Sequence, residues 1–302
     1  MKLRSRIFKW YANYGMVNSL RRSAGRKFRR AEHGRHIIQA TKHGFSLHLR
    51  IGDPVDTYTA IHSEFEPALS NLIKKLAPEC SSFIDVGCNI GYFTCLFHKH
   101  NPHAPILAID ANPEMVVRCN ENIKLNGFSS IEVVNIGVAD KEGIIPFNVN
   151  PDSPSLASFG TTPLLQQQLA AGTVQQIDVR TQALPVILAE AGITRCGLIK
   201  IDIEGYEPSL FAGLDEGFHL MADRILFEYV PCQMEACGFD SAAIWSIPLF
   251  RHYRAFGLDT KNADLAIEIN DPANIPPSID TVFLIRDHLP VPFVCESPMH
   301  SQ

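Results

Sequence analysis

The sequence has no CxxC pair and no Cys/His cluster with the spacing of a zinc site, so a structural metal is not expected. Its eight cysteines (Cys80, Cys88, Cys95, Cys119, Cys196, Cys232, Cys237 and Cys295) are irregularly spaced along 302 residues. That spacing argues against a disulfide framework and for reduced thiols in a cytosolic setting. There is no apolar run of about 18 residues, the length a helix needs to cross a bilayer. No internal repeat is visible. What remains is an ordinary globular composition, 46% apolar, long enough for one large domain or one domain with terminal additions.

Acidic residues are scarce at the N-terminus. Residues 1–36 hold eleven Lys or Arg and one acid, Glu32, whereas the remainder holds 16 basic and 31 acidic residues. A basic arm on an acidic body is the expectation. Ile7, Phe8, Trp10, Tyr11 and Tyr14 are interleaved with the early charges. Such a segment can lie on an anionic membrane surface, stay a solvated terminus, or act as an Arg-rich organelle presequence. It lacks the continuous apolar core of a secretory signal. The expected location is the cytoplasm, with peripheral membrane contact as the arm's contribution.

From residue 37 the pattern alternates. A half-buried strand is predicted over Phe45–Ile51, a polar turn at Gly52-Asp53-Pro54 and a helix over about Glu64–Leu76. A Rossmann-like domain is predicted from 81 to 302, after an extension over 37–80. Its strands are expected at Phe83–Val86, Ile106–Ile109, Ile131–Ile136, Leu198–Ile203 and Ile225–Tyr229, with a final pair at Leu265–Ile269 and Thr281–Arg286. Helices are expected at Tyr92–His98, Glu114–Leu125, Leu184–Ala191, up to about Leu214, and over Ser241–Phe256. Residues 146–172, rich in Pro, Ser and Gln, are predicted to be a long substrate-side loop with a short helix. Alternating strands and helices imply a mostly parallel sheet covered on both faces.

The glycine turn Asp85-Val86-Gly87-Cys88-Asn89-Ile90-Gly91 follows a strand and opens a helix. Glycine lets the backbone bend sharply and lets a ligand approach closely. The position of a third glycine falls on Tyr92, so a pyrophosphate cradle is poorly supported and a ligand without phosphates fits better. Asp110 ends the next strand, 23 residues beyond Gly87, where an acid can accept from both hydroxyls of a ribose. It can instead cap the following helix, a task for which Asn112 is equally suited. Asn135-Ile136-Gly137-Val138-Ala139-Asp140 offers small residues, Gly137 and Val138 among them, where a flat ring can lie, or is an ordinary turn.

Lys200, Asp202 and Glu204 interrupt an apolar strand at period two, which puts them on one face in extended geometry. Glu228 ends the following strand. Buried charges cost several kcal/mol each unless paired, so these four form either a structural network or a site that aligns a substrate and accepts a proton. His62, Glu66 and His252 are further candidate bases. Glu66, in Phe65-Glu66-Pro67, can also simply begin a helix.

Taken together, Phe65-Glu66-Pro67, the stretch Phe83–Thr94 with its glycine turn, Lys200-Ile201-Asp202-Ile203-Glu204-Gly205-Tyr206-Glu207 and Glu228 resemble the FkbM family of methyltransferases from about Gly44 to Tyr229. The resemblance implies a class I methyltransferase fold with a mostly parallel seven-stranded sheet. It implies S-adenosylmethionine as methyl donor and O-methylation of a sugar, glycan or natural-product hydroxyl. By position, Gly87, Asn89 and Gly91 would face the methionine part, with Asp85, Tyr92 and Asn112 beside them. Asp110 would face the ribose, and Asp202, Glu204 and Glu228 the reacting end. Ser155 and Ser158 would stand on a variable substrate-side loop, with Glu66 also on the substrate side. Cys88 stands for the usual Ala, Asp110 for a more usual Glu, and Val179–Leu184 lacks an acid often seen there.

Two other functions compete with this one. A nucleic-acid methyltransferase would use the basic arm on phosphates, but the end of the Asp202 strand lacks the Asn/Asp-Pro-Pro-aromatic pattern of base methylation and the body is acidic. A non-catalytic binding protein would have no need of Gly87, Gly91, Asp110 and Asp202 together. An acceptor on a lipid-linked glycan would give the arm a purpose. No spacing demands a metal, although clustered acids can hold Mg²⁺.

Overall fold

The computed structural model describes residues 34–160, 169–258 and 265–296. All but the last three residues of the predicted basic arm lie outside that range, as does the glutamine run at 166–168. Two short strands, β1 (His36–Ala40) and β2 (Ser46–Arg50), pair antiparallel with His36 opposite Arg50. Alternation buries Leu47 and Leu49.

The predicted turn at residues 52–54 instead starts a helix, α1 (Pro54–His62). Asp53 caps it and Pro54 occupies its first turn, where a missing N–H costs nothing. Helix α2 (Pro67–Leu76) begins at Pro67, not Glu64, because Glu66 has the left-handed φ of 40°. Its stripe of Leu69, Leu72, Ile73 and Leu76 faces the core.

The remaining strands are β3 (Phe83–Val86), β4 (Ile106–Asp110), β5 (Ile131–Asn135), β6 (Gly137–Val138), β7 (Gly143–Val149), β8 (Gln175–Gln182), β9 (Leu198–Ile201), β10 (Arg224–Glu228), β11 (Tyr253–Leu258), β12 (Leu265–Glu268), β13 (Thr281–Arg286) and β14 (Val294–Glu296). The helices among them are α3 (Tyr92–His100), α4 (Pro113–Leu125), α5 (Leu184–Glu190), α6 (Glu207–Ala212) and α7 (Pro231–Ala236).

The main sheet has the order β14-β12-β11-β13-β10-β9-β3-β4-β5. From β11 to β5 it is the expected Rossmann-like class I methyltransferase sheet. β9, β10, β3, β4 and β5 pair in parallel, and β13 inserts antiparallel between β10 and β11. Strands β12 and β14 extend the edge to nine. Every residue of β3, β4 and β9 is buried, which follows from helices on both faces. One apolar cluster lies beneath α2, α3 and α4, the other beneath α5, α6 and the chain before β11. Strand order reverses between β3 and β9, and open sheets of this kind bind ligands beyond the strand ends at that point.

Two predicted elements differ. Residues 146–149 of the predicted loop instead belong to strand β7, which pairs with β8 from Gly143↔Thr181 to Val149↔Gln175 in a separate three-stranded sheet. Pro146 fits there because β7 is an edge strand. Residues 241–256 are not one helix. Two 3₁₀ turns, Ala243–Ser246 and Pro248–His252, lead into β11. Pro248 lacks the N–H that a continuing helix requires.

The segment before β3 is docked on α4. The amides of Ser46 and His48 donate to Asn126 Oδ1 (2.8 Å) and Asn122 Oδ1 (2.7 Å), and Arg118 pairs with the buried Asp56. Asn122 Nδ2 also reaches the Ile90 carbonyl at 2.8 Å, tying this segment to the glycine turn.

Candidate active site

A cleft opens at the switch point, with an empty volume of about 1250 Å³ counted out to open solvent. Strand β3 delivers Gly87 to Gly91 to its floor. Gly87 has φ 76°, and a Cβ there would stand 1.8 Å from the Asp202 carbonyl oxygen. Only glycine lets β3 and β9 end so close together. Gly91, φ 80°, would drive a Cβ to 2.6 Å from Cys119 Sγ.

Asp110 sits in the wall, buried. Its Oδ2 accepts from the Asn89 amide and its Oδ1 from the Asn112 amide, both at 2.8 Å. Burial pushes its carboxyl up to about 6 against the pull of those two bonds. Each oxygen keeps a lone pair, so the carboxylate is fixed in place and still able to accept two hydroxyls. Asn112 caps α4 through the Glu114 amide at 3.0 Å, which leaves Asp110 unneeded for that task. Beyond Asp110 the lining turns apolar: Met115, Ile136, Gly137, Val138, Phe147 and Phe159.

The other end is charged. Glu66, Lys200, Asp202, Glu204 and Glu228 all line it. The period-two face ends early, because β9 stops at Ile201 and Glu204 turns into the left-handed region at φ 55°. The turn still leaves Asp202 and Glu204 in the cleft. Lys200 Nζ lies 3.1 Å from Asp202, 3.7 Å from Asp85 and 3.1 Å from the Gly87 carbonyl. Burial alone would lower its pKa, but Asp202, Asp85 and Glu66 outweigh burial and raise it. Lys200 thus stands as a buried cation that braces the Gly87 carbonyl and pairs with Asp202. Burial, then the Asp202 charge, pushes Glu66 and Glu204 each up to about 8. Glu228 is raised further by burial and by Asp202, Glu204, Glu207 and Glu66, and its Oε2 is sealed off with no hydrogen-bond partner. Glu204 Oε2 accepts from Gln233 Nε2 at 2.8 Å.

Of the remaining expected site residues, Tyr92 and Ser155 line the cleft and the others do not. Asp85 is behind the floor, accepting from Thr94 Oγ1 at 2.6 Å and facing Lys200. Tyr92 lines the cleft with its hydroxyl bound to Ser70 Oγ at 3.1 Å. Ser155 lines the cleft, and its buried hydroxyl has no partner. Ser158 does not line it; its hydroxyl donates to the Glu204 carbonyl. His62 packs on Tyr58, outside the lining. His252 is remote, stacked on His219 and paired with Glu216.

Sequence reasoning missed Val55 and Tyr58, which α1 brings to the cleft. The Asp53-Pro54 pair was their signal, since an N-cap acid followed by proline begins helices. Gln233, which holds Glu204, carried none. Among the described residues no group of three or more His, Cys, Asp or Glu is arranged to hold a metal, and no helix is long and apolar enough to cross a membrane.

The family model for the Methyltransferase FkbM domain matches residues 85–259, which contain the glycine turn, Asp110, the β9 acids and Glu228. The chain belongs to this family. The matched segment is the methyltransferase domain of that family, and S-adenosylmethionine is the methyl donor that domain uses.

Curated relatives include the 2-O-methyltransferase NoeI of Sinorhizobium fredii, 24% identical over 43% of this chain and 56% of that protein. The 31-O-demethyl-FK506 methyltransferase FkbM of Streptomyces tacrolimicus is 24% identical over 44% and 58%. Methyltransferase 1 of Beauveria bassiana is 23% identical over 50% and 65%. The chain thus spans less than two thirds of the length of each of these three. Among solved structures, an O-methyltransferase from Bacillus cereus in complex with SAH aligns at TM-score 0.40 and 10% identity, over 74% of this chain and 83% of that one.

The cleft suits the cofactor this family uses. The fixed Asp110 carboxylate offers two acceptor sites, the apolar wall accepts a flat ring, and the partnerless Ser155 hydroxyl beside the glycine turn has hydrogen-bonding capacity to spare.

Proposed function

We propose that the chain methylates a hydroxyl group on a sugar, glycan or natural-product acceptor. The observation that carries this reading is the grouping of Glu66, Asp202, Glu204 and Glu228 at the reacting end of a cleft whose other end is built around Asp110. Bound S-adenosylmethionine supplies an activated methyl group. This chain has to orient the acceptor oxygen and take its proton. Carboxylates serve both purposes, since they accept from several hydroxyls at once and a carboxyl raised toward neutrality is a stronger base.

Asp202, held by Lys200 at 3.1 Å, is suited to alignment. Glu204 has one oxygen on Gln233, which leaves Oε1 as the oxygen able to take the proton. Asp110 would hold the ribose hydroxyls, with Gly87, Asn89 and Gly91 around the methionine part and Ile136, Gly137 and Val138 against the ring. Two relatives named for O-methylation, NoeI and FkbM, support the choice of oxygen.

A nucleic-acid acceptor fits poorly. The lining carries five carboxyl groups against the single ammonium of Lys200, and phosphates seek the opposite charge. Transfer of labelled methyl groups to a panel of sugars, hydroxylated macrolides and RNA tests the reading. Label in the hydroxylated acceptors as base-stable ether is expected. Label in RNA alone would overturn it.

A further inference from the structure

A closed circuit of hydrogen bonds covers the cofactor end of the cleft. Asp53, wholly buried, belongs to the N-terminal segment that precedes the family match. Its Oδ1 accepts from the amides of Val55 (3.1 Å) and Asp56 (3.4 Å) and caps α1. Its Oδ2 accepts from the Ser155 amide at 3.1 Å. The Ser155 carbonyl accepts from Asn89 Nδ2 at 3.2 Å, and the Asn89 amide donates to Asp110 Oδ2 at 2.8 Å. Asp110 Oδ1 accepts from the Asn112 amide at 2.8 Å, and Asn112 Nδ2 donates to the Pro154 carbonyl at 3.0 Å. Pro154 and Ser155 are neighbours in the chain, so the circuit closes.

We propose that Asp53 is a positioning residue of the cofactor site. By pinning the strap Pro154–Ser155, it sets Asn89 and Asn112 so that both amides aim the Asp110 carboxylate at the ribose diol. The inference rests on the reading of Asp110 as the ribose acceptor. A cap alone needs one side-chain oxygen, which Ser, Thr or Asn supplies. Asp53 uses two, on two separate elements. Asp53 stands outside the closed ring and fixes it at the Ser155 amide; each ring member restricts the next, so loosening Ser155 loosens the Asp110 carboxylate opposite. The strap is pinned a second time where Arg50 Nη2 donates to the Pro151 carbonyl at 2.8 Å. Both anchors come from the segment before β3, which thereby forms part of the cofactor site.

Asp53→Ser keeps a capping oxygen and removes the strap bond. Loss of one charge-assisted hydrogen bond from the circuit is expected to weaken S-adenosylhomocysteine binding about tenfold by calorimetry. KM for S-adenosylmethionine should rise equally while kcat at saturation stays within about twofold. Asn126→Ala is the control, because it disturbs the same segment through its bonds to the Ser46 backbone without touching Arg50, Asp53 or the strap; its affinity should stay within about twofold.

In the unaltered protein, S-adenosylhomocysteine should slow hydrogen exchange of the Ser155 amide. A folded Asp53→Ser that binds as tightly as the parent would falsify the proposal, and so would a Ser155 amide whose exchange ignores the ligand. If Asp53→Ser does not fold, the exchange measurement decides alone. Unchanged affinity in Asp110→Asn would instead place the fault in the ribose assignment.

Discussion

The two ends of the cleft are built on opposite terms. At the cofactor end the polar groups of the glycine turn, Asp110, Asn89 and Asn112 are already hydrogen-bonded to one another. At the acceptor end Glu66, Asp202, Glu204 and Glu228 crowd one ammonium, and Glu228 Oε2 has no partner at all. Pre-bonded groups change little on binding, so they lend affinity at small reorganisation cost. Crowded carboxyls have their pKa values raised, which makes each a stronger base when it is ionised. On the proposed reading the first end grips the cofactor and the second reacts.

The sharpest way to break that contrast is to remove the proposed proton acceptor, Glu204. Glu204→Gln keeps the size and the contact with Gln233 but cannot take a proton. It should lower kcat about 10²–10⁴-fold and leave S-adenosylhomocysteine affinity unchanged by calorimetry. A comparable loss of affinity would mean that the two ends are not separable.

The opposite substitution should show the opposite split. Asp110→Asn replaces one acceptor oxygen by a donor that faces the Asn89 or Asn112 amide. Binding of S-adenosylhomocysteine should weaken about 10–100-fold, with kcat at saturating S-adenosylmethionine changing far less. Equal losses in both quantities would blur the division.

The cofactor end was the more legible in sequence, for a physical reason. Gly87 and Gly91 are dictated by backbone geometry, and a turn that only glycine can make leaves a local signature. Asp110 stands at a fixed spacing because a strand, a turn and a helix have fixed lengths. The acceptor end depends on contacts between distant segments. Glu66 enters from the cap of α2, Glu228 from the end of β10 and Gln233 from α7; only the acidity of the two glutamates was visible. The sheet was legible strand by strand up to β10, where burial on both faces writes continuous apolar runs. After that, Ser241–Phe256 read as one helix, and Pro248 together with pairing of β11 with β13 overrode it. The Asp53 circuit was invisible because all its bonds join residues far apart in the chain or run through backbone atoms.

The smallest expected effect concerns the empty protein and touches both ends at once. Burial, then the Asp202 charge, raises Glu66 and Glu204 from 4.5 to about 8 in the folded state. The folded chain therefore holds these protons more tightly than the unfolded chain. Their contribution to stability is complete below about 4.5 and is lost as pH rises through about 8. Asp110, raised to about 6 by burial, adds to the same trend over a narrower range. The melting midpoint of the ligand-free protein should fall between about pH 5 and about pH 8. Glu66→Gln, which keeps an uncharged side chain at every pH, should flatten that fall and raise the midpoint at pH 8 above the parent's. A parent whose midpoint rises over this interval, or a Glu66→Gln slope that matches the parent's, would mean that the carboxyls at the reacting end are paired well enough to stay ionised.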